Sequence, residues 1–203
     1  MRSLKNMGPK ITLIGMSGLG KSHWSTILEK TGYTRLCCDT MIADRLLNAC
    51  DTLDGKERCL GQWMGLPFTP GYKEREKAYL DAESDLLLQI IAYLEKAGSE
   101  EKIVIDTTGS APYTGDVVMM RLRALTRMIH LATSSDLIDV MANRYIRSPR
   151  PVVWGDVIDR KPFESDHDAL LRCYKDLLAY RETLYRKYAH QTVPFDVHRI
   201  GRI

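Results

Sequence analysis

The chain has 203 residues, enough for one compact domain with a hydrophobic core. Hydrophobic residues make up 44% of the sequence, charged residues make up 27%, and the net charge of +3 is too small to indicate nucleic-acid binding by itself. No run approaches the roughly 18–20 apolar residues of a membrane span, and the apolar stretch 11–16 is too short for a signal-peptide core. We therefore predict a cytoplasmic protein with a single domain over residues 1–203, which binds neither membranes nor nucleic acids.

Short apolar runs bounded by turn residues alternate with helical patterns, which is typical of an α/β domain with a mostly parallel sheet. The predicted strands are Lys10–Gly15, Tyr33–Cys37, Lys102–Asp106, Met128–Ala132 and Thr192–Phe195. Helices are predicted between them. The longest spans about 73–97, where apolar residues recur at helical spacing.

The first predicted strand leads directly into a phosphate-binding loop. Residues 15–22, Gly-Met-Ser-Gly-Leu-Gly-Lys-Ser, match G-x-x-x-x-G-K-[ST] in full and stand between a strand and a helix, as this motif requires. Lys21 would reach the β- and γ-phosphates as a catalytic residue, and the Ser22 hydroxyl would bind Mg²⁺. The residues predicted to bind ATP here are Gly15, Ser17, Gly18, Leu19, Gly20, Lys21 and Ser22.

The third predicted strand ends in a carboxylate, Asp106. P-loop enzymes hold Mg²⁺ with the help of an acid at the end of a core strand, and ligands of open α/β sheets bind at that edge. Asp106 is therefore predicted to be a second Mg²⁺ residue beside Ser22. Because Thr107, Thr108 and Gly109 follow, the alternative is a helix cap or a turn acid.

A cationic segment follows the fourth strand. Between Arg144 and Lys161 there are five cations and two anions, an excess of 5 − 2 = +3 that equals the net charge of the whole chain. Such a segment suits a phosphate, although a solvated surface loop would look the same. Pro149, Pro151 and Pro162 prevent a continuous helix, as expected for a mobile lid over about 144–164.

The last long helix is predicted over about 166–189. One face of it carries a stripe formed by Leu170, Tyr174, Leu177, Arg181, Leu184 and Tyr188. Arg181 is the only charged residue of the stripe. Because isolated burial of a guanidinium is costly, its partner should be either a core carboxylate or an anionic ligand.

Several of these segments together resemble shikimate kinase and its close P-loop relatives. The resemblance covers residues 10 to about 190 and is carried by residues 11–22 (strand and P-loop), Cys38-Asp39-Thr40-Met41-Ile42 (second-strand acidic motif), Arg150-Pro151-Val152-Val153 (lid) and Arg181-Glu182-Thr183-Leu184-Tyr185 (late R-x-x-x-Y motif). It implies a three-layer P-loop NTPase sandwich of the nucleoside-monophosphate-kinase and shikimate-kinase type, with a mostly parallel five-stranded sheet.

The resemblance also implies residue roles. Asp39 would bind the acceptor hydroxyl and act as the candidate base. Arg150 would meet both acceptor and phosphate as a catalytic residue, and Arg144 would contact ATP. Arg181 would bind an acceptor carboxylate. Thr108 and Gly109 stand at the turn after the third strand and are assigned to the acceptor as well.

The chain departs from the family at two places that bear on the acceptor and at one that bears on the metal. The turn after the third strand reads Thr107-Thr108-Gly109-Ser110 where the family has three consecutive glycines. If Tyr79 and Glu83 align with the family's aromatic and acid, Leu80 stands in place of an arginine. At the metal, Cys37 replaces the first aspartate of the acidic motif, a magnesium ligand in the family, and Asp106 could supply the missing carboxylate from the neighbouring strand. We therefore expect an acceptor other than shikimate.

The predicted function is that of an ATP- and Mg²⁺-dependent phosphotransferase. Its acceptor would be a hydroxyl of a small polar metabolite, anionic or polyhydroxylated, bound by the helical segment 39–97. One alternative is a nucleoside or nucleotide kinase, with Trp63, Phe68 and Tyr72 stacking on a base; the aromatic-rich segment 61–68 could equally fill a core gap. Another is an ATP-binding module of low turnover, which the loss of an acid at Cys37 would suit. The sequence predicts no oligomeric state.

Overall fold

The fold is built on five strands. The computed structural model describes residues 8–47, 53–148 and 150–198, with the backbone alone for 53–58. The strands are β1 (Lys10–Ile14), β2 (Thr34–Cys37), β3 (Ile103–Asp106), β4 (Arg127–Leu131) and β5 (Gln191–Val193). All five predicted strands are confirmed, with ends that differ from the predicted ones by at most two residues.

The strands form one parallel sheet in the order β2-β3-β1-β4-β5. β1 lies in the centre, between β3 and β4. In register, Leu13 of β1 lies opposite Asp106, and Asp106 lies opposite Cys37 of β2. The carboxyl ends of the three strands therefore bring the P-loop, Asp106 and Cys37 to the same edge of the sheet.

The helices are α1 (Lys21–Glu29), α2 (Cys38–Leu46), α3 (Leu53–Met64), α4 (Tyr72–Lys96), α5 (Asp116–Leu125), α6 (Ile138–Arg147), α7 (Asp166–Tyr188) and α8 (Phe195–His198). The two long predicted helices are confirmed as α4 and α7. Ser165 caps α7 by accepting a hydrogen bond from the backbone N–H of Asp168 at 3.1 Å. Within the described residues, no helix combines the length and the apolar character needed to span a bilayer.

The core forms two apolar layers that pack on opposite faces of the sheet. The smaller layer joins alternate residues of β1, Ile11 and Leu13, to Leu28 of α1. The larger layer contains Ile14 and the buried faces of the long helices α4 and α7. The alternation along β1 follows from the two-residue period of a strand. A sheet between two helical layers confirms the predicted three-layer α/β sandwich.

Candidate active site

The loop between β1 and α1 has the backbone that a phosphate-binding loop requires. Gly15, Gly18 and Gly20 have φ values of 141°, 83° and 91°, which side chains rarely tolerate. A Cβ on Gly15 would lie only 2.6 Å from the carbonyl oxygen of Leu131 on β4. Glycine at position 15 therefore allows the loop to leave β1 close to the neighbouring strand. The helix α1 begins at Lys21, so that its N-terminal N–H groups and dipole favour an anion at the loop.

Lys21 and Ser22 occupy the first turn of α1. The Lys21 ammonium is buried and donates hydrogen bonds to the carbonyl oxygens of Gly15 (2.8 Å) and Met16 (3.1 Å). It thus lies folded over the loop that would hold the phosphates. Charged acceptors bind an ammonium more strongly than carbonyls do, so phosphate oxygens can compete for it. Ser22 is exposed beside it.

Asp106 is fully buried at the end of β3. Its Oδ2 accepts hydrogen bonds from Ser25 Oγ and from Arg35 Nη2, both at 3.0 Å. Its Oδ1 is buried and has no hydrogen-bond partner among the residues that the structure describes. Ser25 follows Ser22 by three positions on α1, so the carboxylate is held against that helix about one turn beyond Ser22. Asp106 caps no helix in the described ranges, and it is held in the interior by side chains of two other elements.

The free oxygen of Asp106 fits a magnesium site of the kind that P-loop proteins use. A buried oxygen without a partner is costly unless a water, an ion or a ligand satisfies it. Over the described residues, no group of three or more His, Cys, Asp or Glu side chains forms a metal cage. Mg²⁺ bound to nucleotides needs no such cage, because it keeps several waters and takes one or two protein ligands plus phosphate oxygens. Ser22 and Asp106 are the residues that would hold it.

The sequence reasoning missed Arg35. It lies on β2, two residues before Cys37 and therefore on the same face, and its Nε donates to Ser25 Oγ at 2.7 Å. Cys37 itself accepts a weak hydrogen bond from Thr40 Oγ1 at 3.3 Å. Burial is the largest cause of a raised pKa of the Cys37 thiol, which favours its neutral form.

Asp39 lies in the first turn of α2, where a helix dipole favours a carboxylate. The Asp39 carboxylate interacts electrostatically with Tyr79 of α4. Burial is the largest cause of the raised pKa of the Tyr79 phenol, and the charges of Asp39 and Glu83 raise it further. Asp39 is half-buried, and Tyr79 and Glu83 are buried. These groups of α2 and α4 thus belong to one electrostatic neighbourhood.

Glu83 is the second residue at this site that the sequence reasoning gave no role. It is 1% exposed, and it accepts hydrogen bonds from Thr108 Oγ1 and, at 2.6 Å, from Ser110 Oγ. Burial raises its pKa to about 6; the two hydroxyls, Arg181 and Lys21 oppose this shift. The side chain of Thr108, which was assigned to the acceptor, is therefore bonded to Glu83 in this structure.

Arg181 is buried as predicted, at 2% exposure on α7. Its Nη2 donates to the carbonyl oxygen of Val153, and its guanidinium lies 5.1 Å from the centroid of the Tyr113 ring. It forms no ion pair with a carboxylate among the described residues, and its buried Nε has no hydrogen-bond partner there. The sequence allowed two partners for Arg181, a core carboxylate or an anionic ligand. The structure shows no ion pair with a carboxylate among the described residues, and the buried Nε remains as a donor for a ligand.

Gly109 leaves space between Arg181 and the P-loop. A Cβ at this position would lie 3.3 Å from Arg181 Nη1 and 3.3 Å from the backbone nitrogen of Ser17. The carbonyl oxygen of Gly109 also accepts a hydrogen bond from the Tyr185 hydroxyl at 2.5 Å. The turn after β3 therefore brings the R-x-x-x-Y motif of α7 against the nucleotide loop.

The cationic segment lies over the P-loop. Arg150 Nη1 donates to Ser17 Oγ at 3.3 Å. Arg144 and Arg150 line a cleft together with Ser17 and Gly18 of the loop. Four residues that were predicted to bind ATP or to act in catalysis thus meet in one cationic cleft.

The chain that follows Arg150 is fixed to the body of the protein. Val152, Val153 and Trp154 are buried. A carboxylate oxygen of Glu76 on α4 accepts backbone hydrogen bonds from Trp154 (2.6 Å) and Gly155 (3.0 Å). The predicted lid over 144–164 therefore contains a firmly anchored stretch; that its remainder moves stays a prediction.

The aromatic residues offered for base stacking have structural environments. Tyr72 is buried, with its hydroxyl 2.8 Å from both Glu76 Oε1 and the carbonyl oxygen of Val152. Trp63 and Phe68 pack against the larger core layer. The structure therefore favours core filling over base binding for the segment 61–68, and Tyr72 is not accessible to a base.

Comparison with known proteins gives similarity in structure alone. No family model matches the sequence, and a search of curated proteins found no match either. A shikimate kinase from Acinetobacter baumannii in complex with shikimate superposes with a TM-score of 0.61 and 20% identity, covering 100% of this chain and 88% of that one. A shikimate kinase from Bacteroides thetaiotaomicron gives 0.56 and 19%, with 92% of this chain and 86% of that one covered. The chain thus has the P-loop kinase fold of shikimate kinases, as its motifs predicted.

Proposed function

We propose that the protein is an ATP-dependent kinase that transfers the γ-phosphoryl group to a hydroxyl of a small polar acceptor. The observation that carries this proposal is the cationic cleft in which Arg150 lies against Ser17 of a complete P-loop. A P-loop alone would suit any nucleotide-binding protein. An arginine already held over the loop adds the group that stabilises charge on the transferred phosphoryl oxygens.

The residues divide the chemistry as follows. Backbone N–H groups of 15–22 and the Lys21 ammonium bind the β- and γ-phosphates, while Arg144 and Arg150 cover them from the other side. Ser22 and Asp106 would hold Mg²⁺, which would supply positive charge to offset the negative charge of the phosphates. Asp39 orients the acceptor hydroxyl and takes its proton. Because phosphoryl transfer has a loose transition state, positioning provides the larger part of the rate.

The acceptor is proposed to be anionic or polyhydroxylated, since the free Nε of Arg181 offers a buried donor beside Gly109. A carboxylate would bind this donor through a charge-assisted hydrogen bond. Shikimate is not the expected acceptor, because Leu80 takes the place of a second arginine and Thr108 is bonded to Glu83.

ADP release in the presence of acceptor panels tests the proposal. The purified protein would be incubated with ATP, Mg²⁺ and shikimate, cyclitols, sugar acids or nucleosides, with Lys21→Ala as the inactive control. We expect one class of hydroxylated acid or polyol to raise ADP release strongly in the wild type and not in Lys21→Ala. Stimulation by nucleosides would favour the nucleoside-kinase alternative. Tight ATP binding with no stimulation by any compound would favour a binding module.

A further inference from the structure

Arg35 connects three elements around the candidate metal site. It lies on β2, and its side chain is 17% exposed. One nitrogen of its guanidinium, Nη2, donates to Asp106 on β3, and another, Nε, donates to Ser25 on α1. This two-pronged contact requires the planar fork of an arginine. It is absent from the P-loop motif and from the roles proposed above.

The pair formed by Arg35 and Asp106 is electrically balanced before any metal binds. Asp106 is fully buried, and a buried carboxylate without a cation would be strongly disfavoured. Arg35 Nη2 lies 3.0 Å from Oδ2 and supplies that cation. The contact uses Oδ2 alone, so Oδ1 keeps its unpaired position in the interior.

We propose that Arg35 is a positioning residue of the nucleotide site, which neutralises Asp106 and, by binding Oδ2 alone, leaves Oδ1 available to the metal. The inference rests on the proposed function, because it takes Asp106 to be a Mg²⁺ residue of a P-loop kinase. Asp106 then presents an oriented oxygen rather than a net negative charge. Nucleotide phosphates can enter the P-loop without repulsion from a carboxylate at its floor, and Arg35 sets how strongly nucleotide binding depends on the metal.

The test is a double-mutant cycle read by ADP binding, measured by calorimetry in EDTA and in Mg²⁺ on the full chain. In EDTA, Arg35→Met leaves the Asp106 charge unbalanced, so ADP should bind about tenfold more weakly. Asp106→Asn leaves Arg35 unbalanced, so ADP should bind more tightly than to the wild type. The double variant Arg35→Met/Asp106→Asn removes both charges, and its affinity should return to within about threefold of the wild type.

Two further proteins separate this role from a general effect of charge or folding. Arg121→Met breaks an exposed ion pair with Glu95 and changes the net charge by the same amount, so its ADP affinity should match the wild type. Arg35→Lys keeps the charge and loses the fork, and its affinity in EDTA should stay near the wild-type value. Thermal unfolding checks that each variant is folded. If Arg35→Met does not fold, the comparison of Asp106→Asn with the double variant still measures the effect of Arg35.

The metal role of Asp106 and the positioning role of Arg35 are overturned by different results. If Mg²⁺ tightens ADP binding equally in the wild type and in Asp106→Asn, Asp106 is not a metal residue and the proposed site is wrong. If Asp106→Asn loses the gain from Mg²⁺ but Arg35→Met binds ADP in EDTA as the wild type does, only the role of Arg35 is overturned. The role of Arg35 would also be overturned if Arg35→Met binds ADP more weakly and the double variant Arg35→Met/Asp106→Asn binds it equally weakly. The effect of Arg35 would then not depend on the Asp106 carboxylate.

Discussion

The backbone N–H of Trp154 donates a 2.6 Å hydrogen bond to Oε1 of Glu76 on α4, and the backbone N–H of Gly155 donates to the same oxygen at 3.0 Å. Arg150 lies four residues before Trp154 in the chain, and its side chain contacts Ser17 of the P-loop. Helix α4 therefore fixes the chain that follows Arg150, the arginine proposed to bind the phosphates.

Replacing Glu76 should impair this support. Glu76→Ala leaves the buried backbone N–H of Trp154 and the partly buried N–H of Gly155 without acceptors, which should lower the free energy of unfolding by about 2–4 kcal/mol. Turnover should fall while ADP affinity changes little, because the P-loop itself is intact. Urea unfolding and steady-state kinetics measure the two effects. Glu74→Ala, on the exposed face of the same helix, is the matched control. Equal kinetics for both variants would contradict the positioning role.

Glu83 should make stability depend on pH. Burial raises its pKa from 4.5 to about 6. The folded state therefore holds the proton over a range in which the unfolded state has lost it, so stability is highest below pH 4.5 and falls as pH rises through 6. The total loss from this group is about 2 kcal/mol.

The difference in unfolding free energy between wild type and Glu83→Gln isolates this effect, because contributions from other groups cancel. Between pH 4.5 and pH 7.5, the unfolding free energy of the wild type should fall by about 2 kcal/mol relative to that of Glu83→Gln. A pH-independent difference for Glu83→Gln would mean that the carboxyl keeps its ordinary pKa.

Gly15→Ala should disrupt the P-loop. Its Cβ would lie 2.6 Å from a backbone oxygen of β4, and the φ of 141° is strained for any side chain. We expect a loss of roughly 2–4 kcal/mol in stability and loss of ADP binding. Differential scanning fluorimetry with and without ADP measures both. Gly98→Ala meets no atom within 4 Å and should leave both properties unchanged.

Gly109→Ala should affect the acceptor more than the nucleotide. The added methyl group would press on Arg181 Nη1 and on the Ser17 nitrogen, each at 3.3 Å. The long arginine side chain can give way, whereas the loop backbone is fixed, so Arg181 should move. We expect the KM for the acceptor to rise about tenfold with a smaller change in the KM for ATP. The opposite pattern would place Gly109 at the nucleotide alone.

Local patterns were sufficient to predict the P-loop, the strands and the position of Asp106. The strand runs are short, apolar and clearly bounded, and the loop motif fixes its own backbone. The burial of Arg181 also followed from one stripe of a helix, because a charge on an apolar face is visible in the sequence alone.

The partners of these residues could not be predicted in the same way. Arg35 meets Asp106 across 71 positions of the chain, and Glu83 meets Ser110 across 27. Neither contact leaves a periodic trace, because each depends on how two elements pack. Tyr72 illustrates the opposite error. The sequence offered it as a residue that could stack on a base, whereas in the structure it is buried and its hydroxyl is hydrogen-bonded in the core.

The strand order has a consequence for the synthesis of the protein. β1 carries the P-loop near the start of the chain, yet its neighbours are β3 and β4, which end at Asp106 and Leu131. On the ribosome both edges of β1 remain unpaired until more than half of the chain has emerged. Such distant pairings are slow and leave strand edges exposed to association. The nucleotide loop, although translated early, is thus secured only after β3 and β4 have been made.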